Sequence, residues 1–190
     1  MPSTVICISH TTGAGGEEIG RSLGERLGFR HVDEGILVEA ARAKGIYPEA
    51  VALAESRSAG RQIEVDFGRI EKTETLRDLI RDAIATVADE GNAVIVAHAA
   101  SYPLANRDGV MRVFVTAPLE LRVQRVSERD GIDEKTAAKR LKESDKQRAA
   151  YLKTFYGVDE EMPVHYDLVI NTDRLDHGAA VDVLAAAATA

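Results

Sequence analysis

The chain has 190 residues, of which 45% are hydrophobic and 29% charged, the ordinary proportions of a single globular domain. Its formal net charge of −7 predicts no general attraction to nucleic acid or to an anionic membrane. The single cysteine, Cys7, excludes an intrachain disulfide and a cysteine-based zinc cluster.

No apolar stretch approaches the ~20 residues that span a bilayer, and the N-terminus lacks a basic flank followed by an apolar signal core. We therefore expect a cytoplasmic protein. The sequence leaves the oligomeric state open, with a homodimer as one option.

Five short apolar runs predict β-strands, at residues 5–8, 29–32, 93–97, 113–115 and 168–170. They are rich in β-branched residues and continuous rather than alternating, which is typical of strands covered on both faces. Helical patterns lie between them. These are Ile19, Leu23 and Leu27; a stripe from Leu76 to Val87 with Thr73 or Thr75 as a candidate cap; Leu119, Val123 and Val126 after Pro118; and an alanine-rich end from residue 178. The alternation predicts one α/β domain over residues 1–190, with a doubly wound, five-stranded parallel sheet.

Two segments fit this sheet less well. Residues 45–72 are mixed in character and predict short helices and loops. Residues 127–160 are dense in charge with few apolar positions, so we expect them to be solvated and mobile. In a phosphotransferase these are natural places for an acceptor-side insertion and a lid. The alternative is two surface excursions without a role.

A glycine-rich turn between the first strand and the first helix carries the clearest functional signal. It contains Thr12, Gly13, Ala14, Gly15 and Gly16. The backbone N–H groups of such a turn, together with the N-terminus of the helix, point at one place and favour a phosphate there. The alternative is a tight connection that binds nothing.

The P-loop pattern G-x-x-x-x-G-K-[ST] is matched only in part. Gly15 stands at the second glycine, but His10 stands at the first, Gly16 at the lysine and Glu17 at the Ser/Thr that holds Mg²⁺. The missing lysine removes a charge-assisted contact of about 1.5–3 kcal/mol. The loop thus predicts a backbone cradle without its usual cation, and no residue is assigned as a metal ligand. We expect Gly16→Lys to tighten ATP binding if the loop holds phosphate.

Six segments along nearly the whole chain resemble, in order, the motifs of one family. They are ISHTTGAGGEEIG at 8–20, similar to I-S-R-x-x-G-S-G-G-x-x-I-G; LGFRHVDE at 27–34, similar to the region L-G-x-x-x-x-D-x-x-L; GNAVIVAH at 91–98, similar to G-x-x-V-I-V-G-R; RVFVTAPLELR at 112–122, similar to R-V-F-I-x-A-P-L-E-x-R; SDKQRA at 144–149, similar to T-D-K-x-R-A; and YDLVINT at 166–172, similar to Y-D-L-x-I-N-T. The chain resembles the cytidylate kinase-like group of P-loop nucleoside monophosphate kinases.

This resemblance implies a nucleoside monophosphate kinase fold with an acceptor-binding insertion and a lid helix. It also implies ATP-dependent phosphoryl transfer, with Mg²⁺, to a small acceptor. It places the ATP phosphates on residues 12–16 and beside Glu17, and the acceptor near Asp33. The arginine that follows the family's third strand is replaced by His98, which either substitutes in part for that cation or hydrogen-bonds at the strand end.

The lid motif R-D-x-x-D-x-x-R of the family is matched in its second half by Asp145 and Arg148. Its leading arginine falls at Leu141, one place from Arg140. We assign Arg148, Arg140 and Asp145 to catalysis. Because we expect Arg148 to be exposed, its removal should cost turnover far more than stability.

Arg122, Arg125 and Arg129 recur at i, i+3 and i+7, so they share one helical face. We assign Arg122 and Arg125 to the ATP phosphates, where a closing lid would add further guanidiniums. Acidic residues in the same stretch offer the alternative that these bases are paired at the surface. Three functions therefore stay open: a kinase, a nucleotide-binding protein with little turnover, and a scaffold without a ligand.

Overall fold

A computed structural model describes residues 3–33, 73–97, 99 and 101–190 of the chain. The expected acceptor-side insertion at 45–72 and His98 lie outside these residues. The elements follow in chain order as β1 (Val5–His10), α1 (Gly16–Leu27), β2 (Arg30–Asp33), α2 (Thr73–Glu90), β3 (Ala93–Val96), β4 (Val110–Thr116), α3 (Leu119–Asp130), α4 (Glu134–Tyr156), a 3₁₀ turn (Pro163–His165), β5 (Leu168–Asn171) and α5 (His177–Thr189).

All five strands run parallel in the order β2-β3-β1-β4-β5, which confirms the predicted sheet. The chain builds one half of the sheet on one side of β1 and then crosses to β4 and β5 on the other side. Ligands of open parallel sheets bind at the carboxyl end of the strands where the order reverses. That place is the end of β1, and the glycine-rich turn follows it directly.

The strands differ in how completely they are covered. All of β3 and the first five residues of β1 are buried, as their continuous apolar runs predict. In β4, buried and half-buried residues alternate, and in β5 only Ile170 is buried. The outer half of the sheet is therefore covered on one face more than on the other, because β5 is an edge strand with an exposed Val169.

Two apolar layers sandwich the sheet. On one face, α1 and α5 pack on Ile6, Ile8 and Val113, and Arg26 of α1 pairs with Asp182 of α5 at 3.0 Å. On the other face, α2 packs on strand residues that include Cys7. Burial of that thiol raises its pKa to about 12, so Cys7 is an inert core residue.

The charged segment at 127–160 contains a helix with a buried face, and the expectation that it is solvated throughout is wrong. Helix α4 begins after Asp133, whose side chain accepts hydrogen bonds from Thr136 N at 3.0 Å and from Thr136 Oγ1 at 2.6 Å. Its residues Ala137 and Leu141 pack against Val126 of α3. Leu141, where the family has its leading lid arginine, is 1% exposed and serves this small core.

Within the described part of the chain, no helix combines the length and the apolar character that crossing a membrane requires.

Candidate functional site

The glycine-rich turn adopts a conformation that its glycines make accessible. Gly13 and Gly15 have φ of +82° and +85°, in the left-handed region that favours glycine. Gly13 also lies so close to α3 that a Cβ there would be 3.1 Å from the Arg122 carbonyl oxygen and from Val126 Cγ2. Gly15 caps α1 without a side-chain hydrogen bond, so no cap side chain covers the first N–H groups of the helix. The turn can therefore receive an anion.

A cavity of about 1060 Å³ opens beside this turn. Its walls are the turn itself, the first residues of α1, the end of α3 and Arg140 of α4. Thr172 and Leu175, which follow β5, and His177, the first residue of α5, complete the lining among the described residues. Ligand pockets in proteins hold roughly 300–1,000 Å³, so the cavity is large enough for a nucleotide. It contains all five residues of the predicted phosphate cradle, together with Glu17 and His10.

Arg125 forms part of the cavity wall. It connects the glycine-rich turn at residues 12–16, called the phosphate turn from here on, to the segment after β5. Its guanidinium donates to Thr172 Oγ1 and to the Thr172 carbonyl oxygen, both at 2.9 Å, and to the Gly13 carbonyl oxygen at 3.5 Å. Thr172 Oγ1 in turn donates to the Ala14 carbonyl oxygen at 2.9 Å. The predicted phosphate ligand Arg125 thus lies in the cavity, where it also fixes the shape of the turn.

Arg129 and Arg140 line the same cavity and share one carboxylate. Arg129 Nε lies 2.7 Å from Asp130 Oδ1, and Arg140 Nη1 lies 3.6 Å from Asp130 Oδ2. The hydrogen bond from Arg129 lowers the pKa of Asp130. The two arginine side chains are about half exposed, at 57% and 49%. Arg140 was assigned from the sequence, whereas Arg129 was placed on the correct helix face but given no role.

Arg122 lies behind the phosphate turn, and the described residues that line the cavity do not include it. Its guanidinium makes a bidentate pair with Asp145 at 2.9 and 2.8 Å and also donates to the carbonyl oxygens of Ala117 and Thr12. Next to it, the hydroxyls of Thr12 and Ser144 are 2.7 Å apart. Arg122 and Asp145 therefore join α3, α4 and the phosphate turn into one unit.

Arg148 is also buried, with a side chain only 5% exposed, and the expectation that it is an exposed charge is wrong. Its Nε donates to Glu161 Oε2 at 2.8 Å, its Nη2 donates to the other carboxylate oxygen, and Tyr166 Oη donates to the same carboxylate. A further contact reaches the His10 carbonyl oxygen at 3.4 Å, and the guanidinium carbon lies 5.4 Å from the Phe114 ring centre.

The charge of Arg148 is held in place by Glu161. Burial alone lowers the pKa of Arg148, but the hydrogen bonds and the negative charge of Glu161 outweigh burial and raise the pKa. The guanidinium is therefore cationic at any physiological pH. For Arg148 to take the predicted catalytic role, a substrate anion would have to replace or join this carboxylate.

Asp33 ends β2, opposite Val96 of β3, so it lies at the same edge of the sheet as the phosphate turn. That edge is where its predicted role at the acceptor would place it. His98, the second residue assigned to the acceptor, lies outside the described residues.

The space around Gly16, at the position of the P-loop lysine, is filled by a neighbouring residue, which the sequence alone does not show. A Cβ placed on Gly16 would lie 2.4 Å from His10 Cβ, closer than real Cβ contacts. A lysine at this position would therefore collide with β1, and we expect Gly16→Lys to tighten ATP binding only in a variant that also lacks the His10 side chain.

The described residues contain no group of three or more His, Cys, Asp or Glu that would hold a metal ion by itself. Magnesium is commonly bound by one or two carboxylates together with the phosphates of a nucleotide. Glu17 lines the cavity at the first turn of α1 and supplies an oxygen donor of the type that Mg²⁺ prefers. The residues present therefore fit a metal that arrives with its nucleotide.

Comparison with known proteins agrees with this geometry. Residues 5–174 match the cytidylate kinase-like family. A cytidylate kinase of Methanopyrus kandleri is 30% identical over 186 residues, which cover 97% of this chain and 93% of that protein.

Two solved structures share the fold. A protein of Eubacterium ventriosum superposes with a TM-score of 0.75 at 21% identity, covering 98% of both chains. A shikimate kinase of Bacteroides thetaiotaomicron does so with a TM-score of 0.58 at 17% identity, covering 95% of this chain and 96% of its own.

Proposed function

The chain belongs to the cytidylate kinase-like family, and we propose that it binds ATP in the cavity beside the phosphate turn and transfers the γ-phosphoryl group to a nucleoside monophosphate or another small acceptor. The observation that carries the proposal is the cavity itself. It combines uncapped helix N–H groups, two glycines in the left-handed conformation and three arginines at the point where the strand order reverses.

The distribution of charge along the cavity walls favours one orientation of ATP. The triphosphate lies over residues 12–16, where the N–H groups of the turn and the positive end of α1 favour negative charge. Arg129 and Arg140, which share Asp130, neutralise phosphate oxygens from the opposite wall. The adenosine then lies toward Thr172 and Leu175, after β5. When bound, Mg²⁺ neutralises charge on the phosphates, and Glu17 is the residue that would hold it.

Phosphoryl transfer depends on positioning and on neutralising the equatorial oxygens rather than on covalent chemistry by the protein. The acceptor would approach from the side of Asp33, at the end of β2. Asp145 and Arg148 act from α4, which is bound to the phosphate turn through Thr12 and Ser144. In this arrangement α4 is the lid helix, and its catalytic arginine reaches the substrate only when Glu161 releases it or shares it.

A turnover assay tests this proposal. Purified protein is incubated with ATP, Mg²⁺ and, in turn, CMP, dCMP, UMP and AMP, and ADP formation is followed. We expect ADP to form with at least one acceptor and to fall in a variant that carries both Arg129→Ala and Arg140→Ala. The matched control is Lys135→Ala with Lys139→Ala, two exposed cations on α4 that do not line the cavity. No acceptor-dependent ADP in the wild-type protein would contradict the kinase function.

A second candidate is a nucleotide-binding protein with little or no turnover. It is favoured by the engagement of Arg122 and Arg148, which are saturated by Asp145 and Glu161, and by the glycine at position 16. Losing a transition-state arginine costs roughly 10³–10⁵ in rate, whereas ground-state binding survives such a loss more readily. Calorimetric titration with ATP separates the candidates: binding without turnover supports the second, and binding with turnover supports the first.

A further inference from the structure

The glycine at position 16 is explained by its neighbour and not by its backbone. Gly13 and Gly15 have positive φ, but Gly16 does not, so its backbone conformation would accept other residues. A Cβ on Gly16 would instead lie 2.4 Å from His10 Cβ, 2.5 Å from Cγ and 2.8 Å from Cδ2. The nearest of these atoms is attached directly to the backbone of β1, so rotation of the imidazole does not relieve the overlap. His10 and a side chain at position 16 therefore exclude each other.

His10 lines the cavity that we propose for the nucleotide phosphates. His10 is the last residue of β1, and it lines the cavity together with the five residues of the turn. Its Nδ1 lies 3.3 Å from the Thr11 carbonyl oxygen. A carbonyl oxygen only accepts, so in this contact Nδ1 carries a proton. The ring offers a second N–H only when it is the imidazolium, which is the form that a phosphate stabilises.

We propose that His10 is a nucleotide-binding residue of this protein, an imidazolium that meets the phosphates from the volume that a side chain at position 16 would need. This inference rests on the proposed ATP site and adds to it the residue that stands in for the missing lysine. It also relates the two departures from the P-loop pattern: a residue with a Cβ at the first glycine position, His10 here, leaves room only for glycine at the lysine position.

The negative charge of a bound nucleotide sets the direction of the pH dependence that we expect at His10. In the part of the chain that the structure describes, the charged groups that line the same cavity are Glu17 and Glu18 from α1, Arg125, Arg129 and Asp130 from α3, Arg140 from α4, and the titratable His177 from α5. Arg148 of α4 reaches the His10 carbonyl oxygen. A triphosphate bound among these groups favours the protonated form of His10. We therefore expect His10 to take up a proton when ATP binds, and the affinity for ATP to fall as the pH rises from 6 to 8.

Calorimetric titration with ATP and Mg²⁺ at pH 6.0 and pH 8.0 tests the binding role. His10→Asn keeps an N–H donor without a titrating ring, and His177→Ala removes the other histidine among the described residues that line the cavity. At pH 6.0 we expect His10→Ala to bind about tenfold more weakly than the wild-type protein, the size of one charge-assisted hydrogen bond. The titration of ATP itself affects binding to all of these proteins alike. Beyond it, the affinity of the His10→Asn variant for ATP should depend less on pH than the affinity of the wild type or of His177→Ala.

Two variants at position 16 test the steric coupling, the first by its melting temperature without ATP and the second by its affinity for ATP. Gly16→Ala should lower the melting temperature, and His10→Gly added to Gly16→Ala should restore most of the loss, because the pair is non-additive. His10→Gly with Gly16→Lys should bind ATP more tightly than His10→Gly alone.

The outcomes separate the two levels of the proposal. Wild-type binding that is unchanged in His10→Ala and His10→Asn would overturn the role of His10 and leave the ATP site standing. A wild-type protein that binds no ATP would overturn the site and the role of His10 together. A Gly16→Ala variant as stable as the wild type would contradict the steric exclusion.

Discussion

Two groups of arginines lie close to the phosphate turn, and they are used differently. On the cavity side, Arg129 and Arg140 are about half exposed and share one carboxylate, Asp130. In the interior, Arg122 of α3 and Arg148 of α4 have side chains 8% and 5% exposed, and each makes a bidentate pair with a different carboxylate. The first group can exchange Asp130 for a phosphate at little cost. In the second group, Arg148 can leave Glu161 only when a substrate anion takes its place, because the Glu161 carboxylate is only 15% exposed. The Asp145 carboxylate of Arg122 is 37% exposed, so in that pair it is the guanidinium that is buried.

The difference in exposure indicates which arginines are available to a ligand and which hold parts of the fold together. A guanidinium that is half in water gives little to folding and keeps its charge available to a ligand. A guanidinium in a dry pair holds elements together, and removing one partner is strongly destabilising because the other charge is left buried. We therefore propose that the end of α3 and Arg140 bind the nucleotide. Arg122 instead holds α3, α4 and the phosphate turn together, and Arg148 holds α4 to Glu161 and to the end of β1.

The largest expected effect is on stability, at the buried pair. Arg148→Ala leaves the Glu161 carboxylate, 15% exposed, without its cation, so we expect it to lower the free energy of unfolding by about 3 kcal/mol. Urea unfolding at pH 7 measures the loss. Arg148→Met combined with Glu161→Gln removes both charges and should recover most of it. A loss below about 0.5 kcal/mol, the size typical of an exposed charge, would break the distinction between the two groups.

The next effect is on binding, at the cavity pair. Removing Arg129 and Arg140 together should weaken ATP binding by about tenfold, because two phosphate-facing charges are lost, while the free energy of unfolding changes by less than about 1 kcal/mol. Calorimetry and urea unfolding on the same preparation give both quantities. A large loss of stability with unchanged ATP affinity would reverse the assignment of the two groups.

The smallest effect comes from an intermediate pair, Arg112 with Asp167, whose side chains are 21% and 41% exposed. Hydrogen bonds from Arg112 lower the pKa of Asp167 below its ordinary value, so the folded state favours the carboxylate. This stabilisation is complete above the ordinary pKa of about 3.9 and is lost as the pH falls through the lower folded value.

Comparing the wild type with Asp167→Asn at several pH values measures this contribution. We expect the wild type to be more stable by about 0.5–1 kcal/mol at pH 6 and the difference to shrink toward zero near pH 2. A difference that persists unchanged at low pH would show that the carboxylate charge is not its source.

The sequence predicted the sheet well because each strand carries its own apolar signal. The runs at 5–8, 93–97 and 168–170 all lie within or within one residue of strands of the structure, and the helix after Pro118 begins at Leu119. Burial of a strand on both faces is a local property that neighbouring residues share. The same is true of the phosphate turn, where three glycines within four residues mark a backbone that must take unusual conformations.

The use of each arginine could not be predicted in this way, because it depends on partners that are distant in the chain. Glu161 lies 13 residues beyond Arg148, and Asp145 lies 23 residues beyond Arg122. Spacing placed Arg122, Arg125 and Arg129 on one helix face but did not show that the first is buried and the last reaches the cavity. The exclusion between His10 and Gly16 had a signal in the sequence, the two joint departures from the P-loop pattern, but the close approach of the two backbones appears only in three dimensions.

We infer that ATP phosphates occupy the cavity beside the turn at residues 12–16 and contact the half-exposed pair Arg129 and Arg140. The most direct test is a crystal structure of the protein with Mg²⁺ and a non-hydrolysable ATP analogue. We predict a triphosphate over the turn with Arg129 or Arg140 moved from Asp130 to a phosphate oxygen. An analogue bound elsewhere, with both arginines still on Asp130, would contradict the account.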